Sequence, residues 1–223
     1  MTGRTMPFPV WPDLRDEERV TRARHFLEVM RRRRTCRSFS AEGFPREVLE
    51  DALRAAGTAP SGANHQPWHF VVVETPKIKA RIREGAEAEE REFYAGKASD
   101  EWLEALAPLG TDAVKEHLTD APYLVVVFAQ RRGGPAPGDD LQNYYVTESV
   151  GIACGLLLAA LTQAGIATLT HTPSPMKFLN EICGRPDREK PLMIIACGHP
   201  ADDATVREHA LRKKTLEQFS TWL

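Results

Sequence analysis

An apolar stretch between Glu148 and Pro173 constrains the fold more than any other part of this chain. Its first half sets Leu among many Gly and Ala residues, and this composition predicts a helix that is buried on every side. Gly165 ends the helix, because Gly adopts the backbone conformation of a helix C-terminus at low cost. The β-branched run at 166–172 predicts a buried strand that opens into a turn. The end of this strand is a candidate functional site, with the polar residues Thr170, His171 and Thr172.

The rest of the chain alternates short apolar runs with longer charged runs of helical periodicity. The other predicted strands are 69–74, 123–129 and 191–198. The predicted helices are 17–33, 48–56, 77–96, 100–106, 149–161 and 177–182. No internal repeat or domain linker interrupts the 223 residues. This pattern predicts one domain with a sheet layered by helices, of the α/β or the α+β class.

Composition excludes several classes of partner. A net charge of −2 gives no electrostatic reason to bind nucleic acid or an anionic membrane. The cysteines are scattered without CxxC spacing, which predicts reduced thiols in a cytoplasmic protein. The N-terminus carries no signal-like apolar run, and we take the helix at 149–161 as too short to span a bilayer. We therefore expect a soluble protein without a membrane partner.

A run of basic residues, RRRRTCRSFS, follows the first predicted helix. Such a run is more commonly a solvated surface. The alternative is a phosphate site, because several guanidinium groups and a hydroxyl around one turn match the donors that a phosphate dianion requires. The residues themselves leave both readings open, and the candidates are Arg33, Arg34, Thr35 and Arg37.

Two further segments have compositions typical of sites. The loop at 58–68, rich in Pro, Gly, Ser and Asn, exposes backbone N–H groups to which a flat polar ligand can come close. The charged segment between 77 and 118 is too polar for a core layer and is typical of a lid. Glu90 and Tyr94 share one side of a predicted helix in this lid, and Lys115 follows later. Taken alone, these three residues are more typical of a solvated surface.

The motifs of several common enzyme classes are missing. The sequence contains no GxGxxG after a strand, no Walker lysine loop, no HExxH and no GxSxG. The histidines do not cluster along the chain, which argues against a metal site. The remaining features fit a phosphorylated cofactor that is held without a covalent bond, with its planar part over a core helix.

Nearly the whole chain from about Trp11 resembles the nitroreductase superfamily of FMN proteins, and within it the iodotyrosine deiodinase branch. The motifs that carry the resemblance include RRRRTCRSFS, AAGTAPSGANHQPWHFVVV, DAPYLVVVF, SVGIACGLLLAALTQAG, THTP and GRPDREKP. The resemblance implies an α+β fold: a mostly antiparallel central sheet flanked by helices, in a domain-swapped homodimer. It also implies one FMN domain over residues 1–223, with an N-terminal arm at 1–16, an active-site lid at about 85–117 and a C-terminal arm at about 205–223.

The resemblance assigns roles to individual residues. Thr172 takes the catalytic position, where a Thr hydroxyl meets flavin N5 and tunes the cofactor toward one-electron steps. The implied cofactor contacts are Arg33, Arg34, Thr35, Cys36, Arg37, Ser61, Thr170, His171 and Thr172, with Arg212 and Lys213 as alternatives for a basic contact from the tail. The implied substrate contacts are Ala63, Glu90, Tyr94 and Lys115. His171 departs from the Thr that is usual in the relatives.

The implied activity is FMN-dependent reductive dehalogenation of halotyrosines (iodotyrosine, with bromotyrosine and chlorotyrosine) to tyrosine and halide. The charges agree, since a zwitterion needs a carboxylate for its ammonium and a cation for its carboxylate, as Glu90 and Lys115 provide. NAD(P)H acting through a separate reductase is one candidate source of electrons. The alternatives are an NAD(P)H-dependent nitroreductase or quinone reductase of the same superfamily, and a flavin-binding protein without turnover.

Overall fold

The computed structural model of the protein describes residues 5–223 and divides into two compact units, the residues up to Arg32 and those from Arg33 onward. The first four residues of the predicted N-terminal arm lie outside the described part. In the first unit, α1 (Asp16–Arg32) begins with acidic and ends with basic side chains. These charges stabilise the helix, because each interacts favourably with the opposite partial charge at its end of the helix dipole. This helix confirms the prediction at 17–33.

The second unit contains the remaining helices and the strands. The helices are α2 (Arg46–Gly57), α3 (Pro76–Glu92), α4 (Asp100–Leu106), α5 (His117–Asp120), α6 (Val146–Gln163), α7 (Phe178–Ile182) and α8 (Leu216–Phe219). The strands are β1 (Trp68–Val73), β2 (Tyr123–Gln130), β3 (Arg132–Gly133), β4 (Leu141–Gln142), β5 (Ala167–His171) and β6 (Glu189–Gly198). The four predicted strands are therefore confirmed.

Four strands form the central sheet, in the order β1-β2-β6-β5. Each neighbouring pair is antiparallel, as predicted. A parallel bridge between Thr35 and Thr168 places the basic run beside β5. This contact brings the start of the second unit to the strand that ends at the candidate site.

The two faces of the sheet pack in different clusters, since side chains of a strand point alternately to its two sides. On β2, Val125 and Val127 pack in the cluster that contains residues of α2 and α6. Their neighbours Leu124 and Val126 pack in the opposite cluster, which contains residues of α3, α5 and α7. The result is a three-layer arrangement, with the sheet between two layers of helices.

Helix α6 differs from its prediction in two respects. Its inner residues are buried against α2 and the sheet, but Gly151, Ile152, Gly155 and Leu156 are exposed in the single chain. The expectation of a helix buried on every side is therefore wrong for one chain, because composition does not specify what covers each face. The expectation that the helix is too short for a membrane is also wrong, since its 18 residues, with a mean hydropathy of 1.4, meet that requirement by length and composition. Core helices of soluble proteins meet it as well.

Candidate functional site

A cavity of about 200 Å³ lies between the lid segment and the end of β5. The lid helices are defined by local sequence: Pro76 stands in the first turn of α3, and the Ser99 hydroxyl caps α4 by accepting a hydrogen bond from Trp102 N at 3.3 Å. The cavity is lined by Glu89, Glu90, Phe93, Tyr94, Trp102, Leu106, Thr111, Lys115, Thr170, His171, Thr172 and Ser174. The structure thus brings the predicted lid residues to the predicted strand end.

An ion pair between Glu90 and Lys115 occupies the cavity wall. The Lys115 Nζ lies 3.1 Å from Glu90 Oε2, and the side chains are only 7% and 15% exposed, respectively. Lys115 is held at two further points, since its backbone N–H donates to Glu87 Oε1 at 2.8 Å and its Nζ donates to the carbonyl of Asp112. A charge this deeply buried is costly without a partner, so each of the two residues requires the other when no ligand is bound.

Tyr94 presents its hydroxyl to the same cavity. It lies in a π-helical turn, Phe93–Lys97, that extends α3, and such turns often occur at functional sites. Its hydroxyl hydrogen bonds with Thr111 Oγ1 at 3.0 Å, and Lys115 Nζ lies 5.9 Å from the centre of its ring. The phenol is therefore positioned beside the ion pair by contacts that helical spacing does not predict.

Two buried histidines pack against each other beside the ion pair. The rings of His117 and His171 meet edge to face, with their centres 5.3 Å apart. Burial lowers the pKa of His171 to about 3, helped by His117 and Lys115. Burial also lowers the pKa of His117 to about 4, helped by the positive charges of Lys115, Arg37 and Arg83. Both rings are therefore neutral at pH 7.

The basic run is positioned along β5. Cys36 N donates to the Thr168 carbonyl at 3.0 Å, while the buried Cys36 thiol donates to the Ser38 carbonyl at 3.0 Å. Burial and the neighbouring charge of Arg207 lower the pKa of Arg37. Within residues 5–223, no carboxylate pairs with Arg33 or Arg37. Such uncompensated donors are the chemistry that a phosphate dianion requires.

The predicted flavin loop is tied to the start of α6. Ser61 Oγ accepts from Gln66 N at 2.9 Å, and Gly62 N donates to Ser149 Oγ at 3.4 Å. A Cβ on Gly62 would lie 2.6 Å from the Tyr144 carbonyl oxygen, so the close approach of the loop requires Gly. Ala63 lies in this loop, with a φ of 52°, and not in the wall of the cavity.

The C-terminal basic candidates lie elsewhere. Arg212 and Lys213 are exposed in the tail after the 3-10 turn Glu208–Leu211. Arg207 instead covers Gly110, where an added Cβ would lie 2.6 Å from the Arg207 guanidinium. Sequence reasoning missed Arg207 and the cavity residue Thr111, because their positions depend on tertiary contacts with the lid.

Comparison with known proteins identifies the family of this chain. The profile of the Nitroreductase family matches residues 30–199. A protein named iodotyrosine deiodinase from Haliscomenobacter hydrossis is 52% identical over 190 residues, which cover 85% of this chain and 86% of the relative. This chain belongs to the iodotyrosine deiodinase branch of the nitroreductase family. The predicted family is thereby confirmed.

Other relatives of this nitroreductase-family chain extend the same result. Iodotyrosine deiodinase 1 of Mus musculus is 44% identical over 205 residues, which cover 92% of this chain and 71% of the relative. A crystal structure of oxidized iodotyrosine deiodinase bound to FMN and 3-iodo-L-tyrosine has a TM-score of 0.75 and 30% identity, and covers 88% of this chain and 100% of that one. The predicted α+β fold is confirmed, and the residue roles stay predictions.

Proposed function

We propose that this protein is an FMN-dependent oxidoreductase that removes halide from halotyrosines. In the reaction the carbon–halogen bond breaks, halide leaves as an anion, and two electrons and one proton form the new C–H bond. Bound FMN in its reduced form supplies the electrons. The observation that carries the proposal is the Glu90–Lys115 pair in a cavity at the end of β5, in a chain 52% identical to a protein named for this activity.

The ion pair is suited to hold an amino acid by its two ends. A halotyrosine exchanges the internal pair for two new ones: its ammonium on Glu90 and its carboxylate on Lys115. The ligand brings one positive and one negative charge, and each of them meets the opposite charge of a side chain. The cavity therefore stays neutral overall, which makes desolvation of the charges tolerable. The Tyr94 hydroxyl, which hydrogen bonds with Thr111 at the same cavity, would add a hydrogen bond to the ligand.

The residues beside β5 fit FMN. Arg33, Arg34, Thr35 and Arg37 would hold the phosphate, since their donors lie in one run that the Cys36 backbone bond fixes to the strand. Ser61, on the loop held by α6, and Thr170 would contact the flavin. Thr172 would donate to flavin N5, which places a protein hydrogen bond on the reacting ring. Arg212, Lys213 or Arg207 would supply a basic contact from the tail.

We also propose that the protein acts as a homodimer. The exposed face of α6 carries apolar Ile152 and Leu156 beside Gly151 and Gly155, and a Cβ at either Gly would meet nothing within 4 Å in the single chain. A second copy could therefore pack closely on this face. The cavity of about 200 Å³ is also below the roughly 300–1,000 Å³ of typical ligand pockets. A partner surface would complete it. We further propose a cytoplasmic location, because the described cysteines are all free thiols.

Anaerobic titration of the reduced, FMN-loaded protein with iodotyrosine, bromotyrosine and chlorotyrosine tests the activity. The flavin absorbance should return to that of the oxidised form, with one halide released per flavin. Glu90→Gln should slow this strongly. Oxidation by nitroaromatics but not by halotyrosines would instead identify a nitroreductase. A flavin that stays reduced with every acceptor would indicate a binding protein.

A further inference from the structure

We propose that His171 is a positioning residue for Glu90, which it holds by an Nε2–H hydrogen bond when Glu90 releases Lys115 to bind the ammonium of the substrate. This inference rests on the proposed function and deepens it. It assigns recognition of the amino group to Glu90 together with His171.

The geometry places a ring nitrogen next to Glu90 with nothing else to bind. We assign the ring hydrogen of neutral His171 to this nitrogen, because an ionised carboxylate can only accept a hydrogen bond. His171 Nε2 lies 3.9 Å from Glu90 Oε1, just beyond hydrogen-bond distance. This nitrogen is buried and has no hydrogen-bond partner among residues 5–223. A buried N–H without an acceptor is unfavourable, and a shift of about 1 Å by Glu90 would supply one.

Substrate binding creates the need for this bond. In the structure, Glu90 Oε2 is satisfied by Lys115, while Oε1 faces His171. When the substrate carboxylate attracts Lys115, Glu90 loses that donor. The ammonium then satisfies one carboxylate oxygen, and the other would lie unpaired in a nearly closed cavity. His171 is the side chain placed to satisfy it.

A neutral histidine suits this role better than a cation would. The ionisable groups that face His171 are His117, Lys115 and Glu90. Burial lowers the pKa of His171 to about 3, helped by His117 and by the positive charge of Lys115. The ring is therefore neutral. A neutral N–H orients the carboxylate without cancelling its charge, so Glu90 keeps its attraction for an ammonium. The edge-to-face contact with His117 restricts the orientation of the His171 ring.

Metal binding does not explain the two histidines. The structure holds no group of three or more His, Cys, Asp or Glu side chains that could bind a metal ion within the part of the chain it describes.

The test compares two ligands on variants of the FMN-loaded protein. The ligands are iodotyrosine and 2-iodo-4-methylphenol, which lacks both the amino group and the carboxylate. His171→Leu and His171→Phe, the second of which keeps a ring against His117, should weaken iodotyrosine binding about 10-fold or more, the value of a hydrogen bond to a charged group. Binding of the phenol should change less than about 2-fold, because a ligand without charged ends leaves the Glu90–Lys115 pair closed.

Two controls separate positioning from structural damage. His171→Gln retains an N–H donor and should restore iodotyrosine binding to within about 3-fold of the parent. His117→Phe keeps the ring packing and should have a similarly small effect. Equal losses for both ligands, or no loss with either His171 variant, would overturn the inference. Failure of the parent protein to bind iodotyrosine would overturn the proposed function itself.

Discussion

Replacing Lys115 with Met should destabilise the protein even without substrate. The change leaves the carboxylate of Glu90, 15% exposed, without its cation at 3.1 Å. Removing one partner of a fully buried pair costs about 3–5 kcal/mol, and the slight exposure here places the expected loss near 3 kcal/mol. For a chain of this size, each kcal/mol lowers Tm by about 2–4 °C, so the predicted decrease is about 6–12 °C.

The comparison that isolates this effect uses Glu90→Gln and the double variant. With neither charge present, the double variant should be more stable than the sum of the two single losses predicts, by at least about 1 kcal/mol. Urea denaturation of the FMN-loaded protein, followed by circular dichroism, measures the free energies of unfolding.

A matched control lies in the same lid segment. Lys97 pairs with Glu92, but these side chains are 53% and 64% exposed. Lys97→Met should therefore change the free energy of unfolding very little, because water screens an exposed pair. If Lys115→Met cost no more than Lys97→Met, or if the two single losses simply added, the buried pair would not have the energetic role described here.

Three other predictions concern the cofactor, the dimer and pH. Thr172→Ala should retain FMN and iodotyrosine but slow halide release in single-turnover assays; an unchanged rate would exclude its proposed contact with N5. Gly155→Phe should convert the dimer into monomers in light scattering, whereas Gly57→Phe, also with open space around it, should not. The pKa values of His171 and His117, about 3 and about 4, are lowered in the folded state. The unfolded chain therefore binds more protons below pH 6.5, and stability should fall between pH 6.5 and 5 by up to about 2 kcal/mol for each histidine. Urea titrations of the parent and His117→Phe, which should show a weaker pH dependence, measure this loss.

The layers of the fold were predictable because local patterns determine them. The β-branched runs of β1, β2 and β5 form strands as predicted, although β1 at the edge of the sheet is only half-buried, and α4 has the predicted bounds. The face of α6 was not predictable, because Gly and Ala indicate close packing without specifying whether the neighbour is the same chain or another.

The sequence predicted less of the site than of the fold. Glu90 and Tyr94 share a helix side, but Lys115 lies outside the helices and reaches Glu90 through its contacts with Glu87 and Asp112. No periodicity shows such a contact, and family resemblance was needed to connect the three residues. The packing of His117 on His171 depends on how α5 meets β5, which residue types do not reveal.

A crystal structure of this protein with FMN and 3-iodotyrosine tests the central claim most directly. The account predicts that Glu90 binds the ammonium, Lys115 binds the carboxylate, and the Glu90–Lys115 contact seen at 3.1 Å is broken. A ligand bound elsewhere, with that ion pair still closed, would contradict it.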